Sequence, residues 1–334
     1  MIVPLISART LMGLQDAFIG YLGENGLDAA LTAAHMPVPS MEHPEVFIPQ
    51  KSLFRFFEDI ARQLGDQNFG LTFGVHVHVV NFGTWGHFLL SHDTLEAALF
   101  AVEKSQRFHI NADKFTLVKK GDNLCFVYTS ASPNVIGQRH YSIAAAIVMM
   151  DLCRHYMGRH WSPLRVDLDV EKTRYSASFE DVFQCPVTFD NPSTCMTIHQ
   201  EEAGSVFLRK TPSFITQSDL RRSCLAAPTD LIGIVKELVR LRLLDSEIDI
   251  DGVASLISLS ARTLQRRLAD QGIDFRTLVS QVKAERAVEL LRETQMPVSS
   301  IAADLGYSTA SHFSRAFRKT TGALPSDIRS RLAG

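Results

Sequence analysis

Near the C-terminal end, apolar residues recur at the spacing of short helices that bury one face. Within residues 251–270, Val253 and Ile257 lie four apart, and Leu264 and Leu268 repeat that spacing after a short polar turn. Side chains four apart share one face of an α-helix, and an apolar face must be buried. The pattern predicts two short helices packed against each other, which is a helix-turn-helix unit.

The same pattern returns about 45 residues later. Within residues 298–321, Ile301 and Leu305 form the first apolar face, and Phe313 and Phe317 form the second. A second helix-turn-helix unit is therefore predicted, with its own buried stripe and its own outward face.

Residues that favour helix starts and turns flank these four helices. Asp251, Ser260 and Ser308 are predicted N-caps, because their side-chain oxygens can accept hydrogen bonds from the first free N–H groups of a helix. Gly306 falls in the second turn, where glycine accepts a left-handed backbone at little steric cost.

One longer helix is predicted between the two units, from Asp274 to Thr294, with Asp274 as its N-cap and Pro297 beyond its end. About 20 residues with a rise of about 1.5 Å each give roughly 30 Å. Successive major grooves on one face of B-DNA lie about 34 Å apart. The second helix of each unit could therefore enter adjacent major grooves, and one monomer would cover about two turns of DNA.

The outward faces of these second helices carry side chains suited to reading DNA. Arginine can donate two parallel hydrogen bonds to guanine, and glutamine can pair in the same way with adenine. The predicted base contacts are Arg262, Gln265, Arg266, Ala310, Ser311, His312 and Arg315. The predicted phosphate contacts are Arg267, Arg318 and Lys319.

The charge distribution agrees with a nucleic-acid partner at this end. Residues 255–334 contain 12 Lys and Arg but 7 Asp and Glu, a net charge of +5. The whole chain carries −2, so residues 1–254 carry −7. A basic region of this kind favours contact with phosphates.

Residues 230–332 resemble the DNA-binding domain of the AraC/XylS family of bacterial transcription regulators. The positions that match the family pattern are Gly306, Tyr307, Phe313, Arg315, Phe317, Gly322, Pro325 and Arg329. The resemblance implies that base contacts come from the outward faces of both reading helices. It also implies double-stranded promoter DNA and RNA polymerase as partners, and most relatives activate transcription. Ala310 departs from the usual polar residue, and it offers only methyl contact, for instance to thymine.

The first two thirds of the chain predict an α+β domain, with a mainly antiparallel sheet covered by helices. Helical periodicity occurs near residues 8–34, 51–64, 93–107 and 139–158. The predicted strands are residues 115–119, 124–129, 164–169, 187–190 and 196–199. We expect an effector-binding and dimerisation domain over residues 1–208, a linker over 209–229, and an all-α DNA-binding domain over 230–334.

Residues 20–208 are similar to a regulatory domain of some AraC-type proteins, described as the arabinose-binding type. The resemblance rests on the stretch from Phe69 to Phe108, on WSPLRVDL at Trp161 and on FQCPVTFD at Phe183. It implies a small-molecule effector of unknown class and a homodimer, and it does not imply arabinose.

Aromatic residues in this domain form either a core or the wall of an effector pocket. Trp85, Phe88, Phe82, Phe108 and Tyr128 are the candidates for the wall. Because small-molecule pockets combine apolar walls with a few polar anchors, the predicted effector-binding residues are Trp85, Phe88, Arg107, His109 and Arg139. The helix that begins near Arg139 is expected to be a core helix, with a dimer helix or a pocket wall as the alternative.

No metal, cofactor or catalytic site is expected. His76 and His78 would share one face of a strand, but no further ligands fall at a recognised spacing. Five cysteines at irregular spacing indicate reduced thiols in the cytoplasm. No apolar run is long enough for a membrane helix, and the N-terminus does not resemble a signal peptide.

The sequence is also compatible with two other functions. A DNA-repair enzyme of the alkyl-transfer type would need a zinc-bound or reactive cysteine, and Cys185-Pro186 is the only hint of such a motif. A constitutive DNA-binding regulator, whose first domain serves only for assembly, would show no response to a ligand.

Overall fold

The computed structural model describes residues 3–173, 176–204, 214–246 and 248–333 of the 334-residue chain. The chain divides into a first unit, residues 1–229, and a second unit, residues 230–334. The first unit is mixed α and β, whereas the described part of the second unit is helical. Both fold classes agree with the sequence-based predictions.

The described residues of the first unit form two sheets. A five-stranded sheet has the order β3-β4-β7-β5-β6, in which only the β5–β6 pair is parallel, and β1 and β2 form a separate antiparallel pair. The strands are β1 (Leu5–Ser7), β2 (Phe47–Pro49), β3 (Lys114–Lys120), β4 (Asn123–Thr129), β5 (Arg165–Asp167), β6 (Val187–Thr188) and β7 (Thr194–His199).

The β3–β4 hairpin is confirmed, with Phe115 opposite Tyr128 and a turn at Gly121, whose φ is +60°. The mainly antiparallel character of the sheet is also confirmed. The small β1–β2 sheet was not predicted, because each of its strands is three residues long and buried at all three positions, so neither shows polar alternation.

The helices of the first unit occupy most of the predicted helical segments. They are α1 (Gln15–Leu22), α2 (Glu24–Ala33), α3 (Gln50–Leu64), α4 (Phe69–Gly74), α5 (Gly83–Leu89), α6 (Leu95–Ser105), α7 (Gln138–Met157), α8 (Ala177–Phe183), α9 (Gln200–Gly204) and α10 (Gln217–Ser223). The periodicity over residues 8–34 proved to be a 3-10 turn followed by α1 and α2, which are separated at Gly23 with a φ of +70°.

Helix α7 is the central core helix that was expected, and most of its 20 residues are buried. Helix α4 packs against it unusually closely, because α4 has no side chain at Gly70 and Gly74. A Cβ atom at Gly70 would lie 2.5 Å from the carbonyl oxygen of His140, and one at Gly74 would lie 2.5 Å from Cδ1 of Ile147. The contact therefore requires glycine at position 70, where a Cβ would meet backbone, whereas at position 74 the clash is with the end of a flexible side chain.

The segment expected to be a linker, residues 209–229, differs from that expectation in its described part. Residues 209–213 lie outside the described residues, whereas α10 buries Leu220 completely. The amide of Ile215 donates to Ser91 Oγ at 3.1 Å, and the amide of Ala227 donates to the Arg107 carbonyl at 2.7 Å. Because these hydrogen bonds tie residues 214–229 to the first unit, the chain divides after Thr229.

The second unit consists of α11 (Leu231–Leu243), α12 (Ile250–Leu256), α13 (Ala261–Ala269), α14 (Phe275–Glu293), α15 (Val298–Asp304), α16 (Ala310–Thr321) and α17 (Pro325–Ala333). Helices α12 and α13 form the first helix-turn-helix unit, and α15 and α16 form the second. Helix α14 is the predicted joining helix.

Two of the predicted N-caps are confirmed and two are wrong. Ser260 caps α13 and Asp274 caps α14 as predicted. However, α12 begins one residue before Asp251, and the Asp249 carboxylate accepts the Gly252 amide at 2.7 Å. Similarly, Thr309 caps α16 in place of Ser308, through a 3.1 Å bond from the His312 amide. In both helices the cap is an extended residue, two positions before the predicted Asp251 and one position after the predicted Ser308.

The α4–α7 contact can be tested with one pair of glycine substitutions. Gly70→Ala should lower the free energy of unfolding of the first unit by about 1–3 kcal/mol, because the added methyl group overpacks the contact with α7. Urea unfolding followed by tryptophan fluorescence measures this, since Trp85 and Trp161 both lie in the first unit.

Gly20→Ala is the matched control. Gly20 lies on an exposed position of α1, and a Cβ there would meet nothing within 4 Å. The substitution should stabilise the unit by about 0.5–1 kcal/mol through helix propensity alone. Equal effects of the two substitutions would contradict the close packing.

Candidate nucleic-acid interface and buried cavity

Helix α13 has one buried stripe and one exposed face. Leu264 and Leu268 are fully buried. The opposite face exposes Arg262, Gln265 and Arg266, as predicted for base contacts. Arg267, predicted to contact phosphate, lies at the edge of this face and is half-buried.

Helix α16 repeats this arrangement with aromatic residues. The Phe313 and Phe317 rings are buried with centroids 5.5 Å apart, and Tyr307 packs 5.4 Å from Phe313. The exposed face consists of Ser311, His312, Arg315, Arg318 and Lys319. Ser311, Arg315 and Lys319 are four apart, so they form one ridge along the helix.

Ala310 differs from the other predicted base-contact residues. It is half-buried and packs against the hydrophobic core of the second unit, which includes Ile301 and Phe313. Only part of its methyl group can face a ligand. Ala310 is half-buried because it is the first residue of α16 and lies one helical turn before Phe313, on the side of the buried stripe.

A continuous series of helix–helix contacts connects α13 to α16 and fixes their relative position. Helix α13 contacts α12, α12 contacts α11, and α11 contacts α14, which in turn contacts α16. The α11–α14 contact includes Glu285, which accepts from Lys236 at 2.8 Å and from Arg240 at 2.6 Å. With 19 residues at about 1.5 Å each, α14 is roughly 28 Å long.

The basic side chains of the two exposed faces are not neutralised by neighbours. Several arginines elsewhere in the unit form ion pairs, for example Arg240 with Glu237 and Arg286 with Glu289. Within the described part of the chain, no such ion pair joins an acidic side chain to Arg262, Arg266, Arg315, Arg318 or Lys319. These cations are available to phosphates and base edges.

A cavity of about 50 Å³ lies in the first unit, between α7, α5 and the β3–β4 hairpin. One water molecule requires roughly 10–15 Å³, so the cavity is several times larger than one water. Its walls are almost entirely aliphatic and aromatic, and the lining residues with polar side-chain groups are Thr10, Trp85, His109 and Tyr141.

His109 is held firmly at the wall of this cavity. Its ring stacks on Trp85 at 4.8 Å with an interplanar angle of 8°, and its Nε2 lies 3.4 Å from Thr10 Oγ1. The ring is buried, and Nδ1 has no hydrogen-bond partner. Burial, with a smaller effect of the nearby Arg9 charge, lowers the pKa of His109 to about 3, so the imidazole is neutral.

Only two of the five residues predicted to bind an effector line the cavity, namely Trp85 and His109. Phe88 instead packs edge-on against His92 at 5.0 Å, and Arg107 is exposed with its guanidinium over Phe108. Arg139 is half-buried away from the lining, and its Nε has no hydrogen-bond partner.

Sequence reasoning missed most of the wall that α7 provides. Ala144, Val148 and Leu152 lie four apart on α7 and all line the cavity. This spacing was visible in the sequence, but both the core-helix and the pocket-wall interpretations predict it. The missed contribution of Thr10 has no sequence signal, because a 3-10 turn remote from α7 brings it to the site.

Two other expectations concern metals and cysteines. His76 and His78 do not lie in a strand; His76 Nε2 is 3.4 Å from Tyr21 OH, and His78 Nδ1 is 3.1 Å from Asp151. In the described ranges, no group of three or more His, Cys, Asp and Glu side chains is placed to hold a metal ion. Burial raises the pKa of the Cys185 thiol to about 11, which disfavours the reactive thiolate.

Among the helices that the structure describes, none combines the length and apolar character needed to cross a membrane.

Comparison with known families identifies two segments of the chain. The family model described as the arabinose-binding domain of AraC transcription regulator, N-terminal, matches residues 26–204, which is more than half of the chain. A helix-turn-helix domain model matches residues 253–331. The second match begins within α12 and contains the rest of the first helix-turn-helix unit and all of the second.

Individual relatives are named as regulators of ornithine utilization or of transcription. The ornithine utilization regulator of Pseudomonas aeruginosa is 24% identical over 269 residues, which cover 79% of this chain and 79% of that protein. The transcriptional activator RhaS of Escherichia coli is 38% identical over 84 residues, which cover 25% of this chain and 30% of RhaS. The crystal structure of the transcriptional regulator CdpR from Pseudomonas aeruginosa aligns with a TM-score of 0.41 and 19% identity, over 91% of this chain and 96% of CdpR.

The buried histidines predict a loss of stability in acid. The pKa of His109 is lowered to about 3 and that of His140 to about 4, chiefly by burial. The unfolded chain therefore binds protons below about pH 6.5 that the folded unit does not bind, so stability falls as the pH falls from about 6.5.

Urea unfolding followed by tryptophan fluorescence at pH 7.5 and pH 5 tests this. The loss in free energy of unfolding between the two pH values should be about 2 kcal/mol smaller in His109→Gln than in the wild type. His140→Gln should act in the same direction. A pH dependence that neither substitution changes would show that other groups are responsible.

Proposed function

Because the chain belongs to the AraC family of transcription regulators, we propose that it activates transcription at specific promoters in response to a small-molecule effector bound in its first unit. The observation that carries the proposal is the pair of exposed faces on α13 and α16. Their cations form no ion pair with any described acidic side chain, and α14 joins the two helix-turn-helix units.

Sequence-specific reading would come from both faces. Arg262, Gln265 and Arg266 on α13 would contact base edges in one major groove. Ser311, His312 and Arg315 on α16 would do the same in the next groove. Ala310 would contribute little, since it is half-buried against the core.

Phosphate contacts would orient the unit on the duplex. Arg318 and Lys319 are exposed near the C-terminal end of α16, where they can reach the backbone beside the groove. Arg267 occupies the corresponding edge of α13. These contacts would supply salt-dependent affinity with little base preference.

Effector control requires that the ligand bind differently to two states of the protein. We propose that a molecule in the cavity of the first unit changes the assembly of the protein as a homodimer, or the availability of the second unit, and so promotes contact with RNA polymerase. The family match over residues 26–204 and the name of RhaS as an activator support this direction. Since bacterial promoter DNA lies in the cytoplasm, the protein would act there.

A constitutive regulator, whose first unit serves only for assembly, is the second candidate. The small volume of the cavity, about 50 Å³, favours it, because ordinary ligand pockets are several times larger. Selection of genomic DNA fragments with the purified protein, with and without candidate ligands, separates the two. A shared motif of two short elements about one helical turn apart supports the docking, whereas retention without sequence preference contradicts specific regulation.

Removal of a base-reading arginine should weaken binding to specific DNA. Arg266→Ala and Arg315→Ala should each weaken binding to the selected site by about 1–3 kcal/mol and relax base preference at one position. Competition binding with single-base variants of the site measures both effects. Unchanged affinity and preference in both variants would contradict this docking.

Lys319→Ala should behave differently from the arginine variants. Loss of one phosphate contact should weaken binding to all sequences alike and reduce the slope of log K against log salt by about 1. Arg62→Ala in the first unit, at an exposed position, is the control with the same change of net charge and should leave the slope unchanged. A base-specific loss in Lys319→Ala would assign that residue to reading instead.

A further inference from the structure

We propose that Cys125 and Cys195 form a two-thiol site for a single soft metal ion of the Cu(I) class, on the face of the five-stranded sheet that points away from α7. Both cysteines belong to the first unit, and neither lines its cavity. The site therefore adds a ligand to the chain beyond the proposed function.

The register of β4 and β7 places the two cysteines diagonally across from each other. Cys125 pairs with Thr197, and Cys195 pairs with Val127. Paired residues share a face of the sheet, and so do residues two apart in one strand. Cys125 and Cys195 therefore lie on the same face, where a side-chain hydrogen bond joins their thiols.

This face is opposite to the one on which α7 packs. Met196 is fully buried, and its Sδ lies 4.0 Å from Sγ of Cys153 on α7. Because neighbouring residues of a strand point to opposite faces, Cys195 points away from α7. Cys195 is half-buried, whereas Cys125 is 5% exposed. An ion would thus reach Cys195 first and Cys125 second.

The spacing of diagonal positions suits two thiols joined through an ion better than a disulfide. Diagonal neighbours in antiparallel strands are about 7–8 Å apart, with slightly closer Cβ atoms, whereas a disulfide requires Cβ atoms about 3.5–4.5 Å apart. Zinc–sulfur bonds are about 2.3 Å long, so two bonds of similar length in line would separate the sulfur atoms by roughly 4.6 Å.

The chemistry of the Cys195 thiol also disfavours a disulfide. Burial, followed by the Cys125 thiol and the Asp167 carboxylate, raises the pKa of Cys195 to about 12. The thiolate is the form that attacks an oxidant, and it is scarce in the metal-free protein.

The number of available ligands selects the class of ion. In the part of the chain that the structure describes, no group of three or more His, Cys, Asp and Glu side chains is placed to hold a metal. Asp167 lies opposite Cys195 on β5, but its two carboxylate oxygens accept from Arg165 at 3.0 Å and from Thr188 at 2.6 Å. Structural zinc sites have four protein ligands. Thiolates select Cu(I) among soft ions, and Cu(I) is stable with two of them.

Binding exchanges two protons for one ion. Both S–H bonds break, each sulfur forms one bond to Cu(I), and the two protons pass to water. The product is a bis-thiolate with one negative charge. The oxidation state of the sulfur atoms and of the copper stays the same, so the step needs no oxidant or reductant.

Copper titration of the reduced full-length chain, without oxygen, tests the site. One equivalent of Cu(I) is added in competition with a colorimetric Cu(I) chelator. The chain should retain the ion, and excess Zn²⁺ should not displace it. X-ray absorption at the copper edge should show two sulfur neighbours, and this measurement needs no variant. No retained copper at any chelator concentration, displacement by Zn²⁺, or a third protein ligand would each overturn the proposal.

Cys195→Ser and Cys125→Ser identify the ligands. Each should weaken Cu(I) binding by at least about 100-fold, because even the loss of a group that only orients a ligand costs about 10–100-fold. Cys185→Ser is the matched control and should leave the affinity unchanged. Cys185 is also half-buried in the first unit, but its charged neighbours are Glu180 and Arg154 rather than a second thiol. Equal losses in all three variants would contradict the assignment.

Two further measurements keep the test decisive. Mass spectrometry of the copper-free chain after treatment with hydrogen peroxide should find no Cys125–Cys195 disulfide, and finding one would overturn the bridged geometry. Circular dichroism checks the folding of each variant. If Cys125→Ser does not fold, Cys195→Ser at the more exposed position decides the ligand, and the X-ray absorption of the wild type decides the ligand number.

Discussion

The burial of one apolar stripe on each reading helix is the constraint on which the DNA-binding function depends. Leu264 and Leu268 on α13, and Phe313 and Phe317 on α16, are almost completely excluded from water. Burying side chains of this size is worth about 1.5–3 kcal/mol each, so the rotation of each helix about its axis is determined. As a consequence, the polar and basic residues of both helices face outward. Helix α14, through its contacts with α11 and α16, then relates the two faces to each other.

In the first unit, close packing and incomplete packing occur side by side on the same helix. Helix α4 packs so closely on α7 that a Cβ at Gly70 would clash with the α7 backbone. Further along α7, Ala144 and Val148 are too small to fill the space towards the β3–β4 hairpin, and a cavity remains. His109, a residue of the cavity wall, is buried and neutral, and its Nδ1 has no hydrogen-bond partner. Its burial accounts for the expected acid sensitivity of the first unit.

The helix-turn-helix units could be predicted because their information is local. An i, i+4 apolar stripe and an N-cap lie within a few residues of the structure that they specify, and Ser260 and Asp274 cap their helices as predicted. The errors at Asp251 and Ser308 were shifts of one or two residues, since neighbouring Asp, Ser and Thr side chains compete for the same role. The exposure of Arg262, Arg266 and Arg315 also follows from periodicity. The half-burial of Ala310 does not, because it depends on how α16 sits against the core.

The sequence by itself determined the class of both units, the central helix α7, the β3–β4 hairpin and the outward faces of the reading helices, because each depends on contacts between residues close in the chain. Only the tertiary structure decided which residues meet at the cavity. Thr10, His109 and Val148 come from a 3-10 turn, a loop and a helix that are far apart in sequence. The structure also shows that Phe88, Arg107 and Arg139 do not line the cavity, and that residues 214–229 belong to the first unit. Long-range packing leaves no periodic trace in the sequence, so composition can suggest a pocket but not its members.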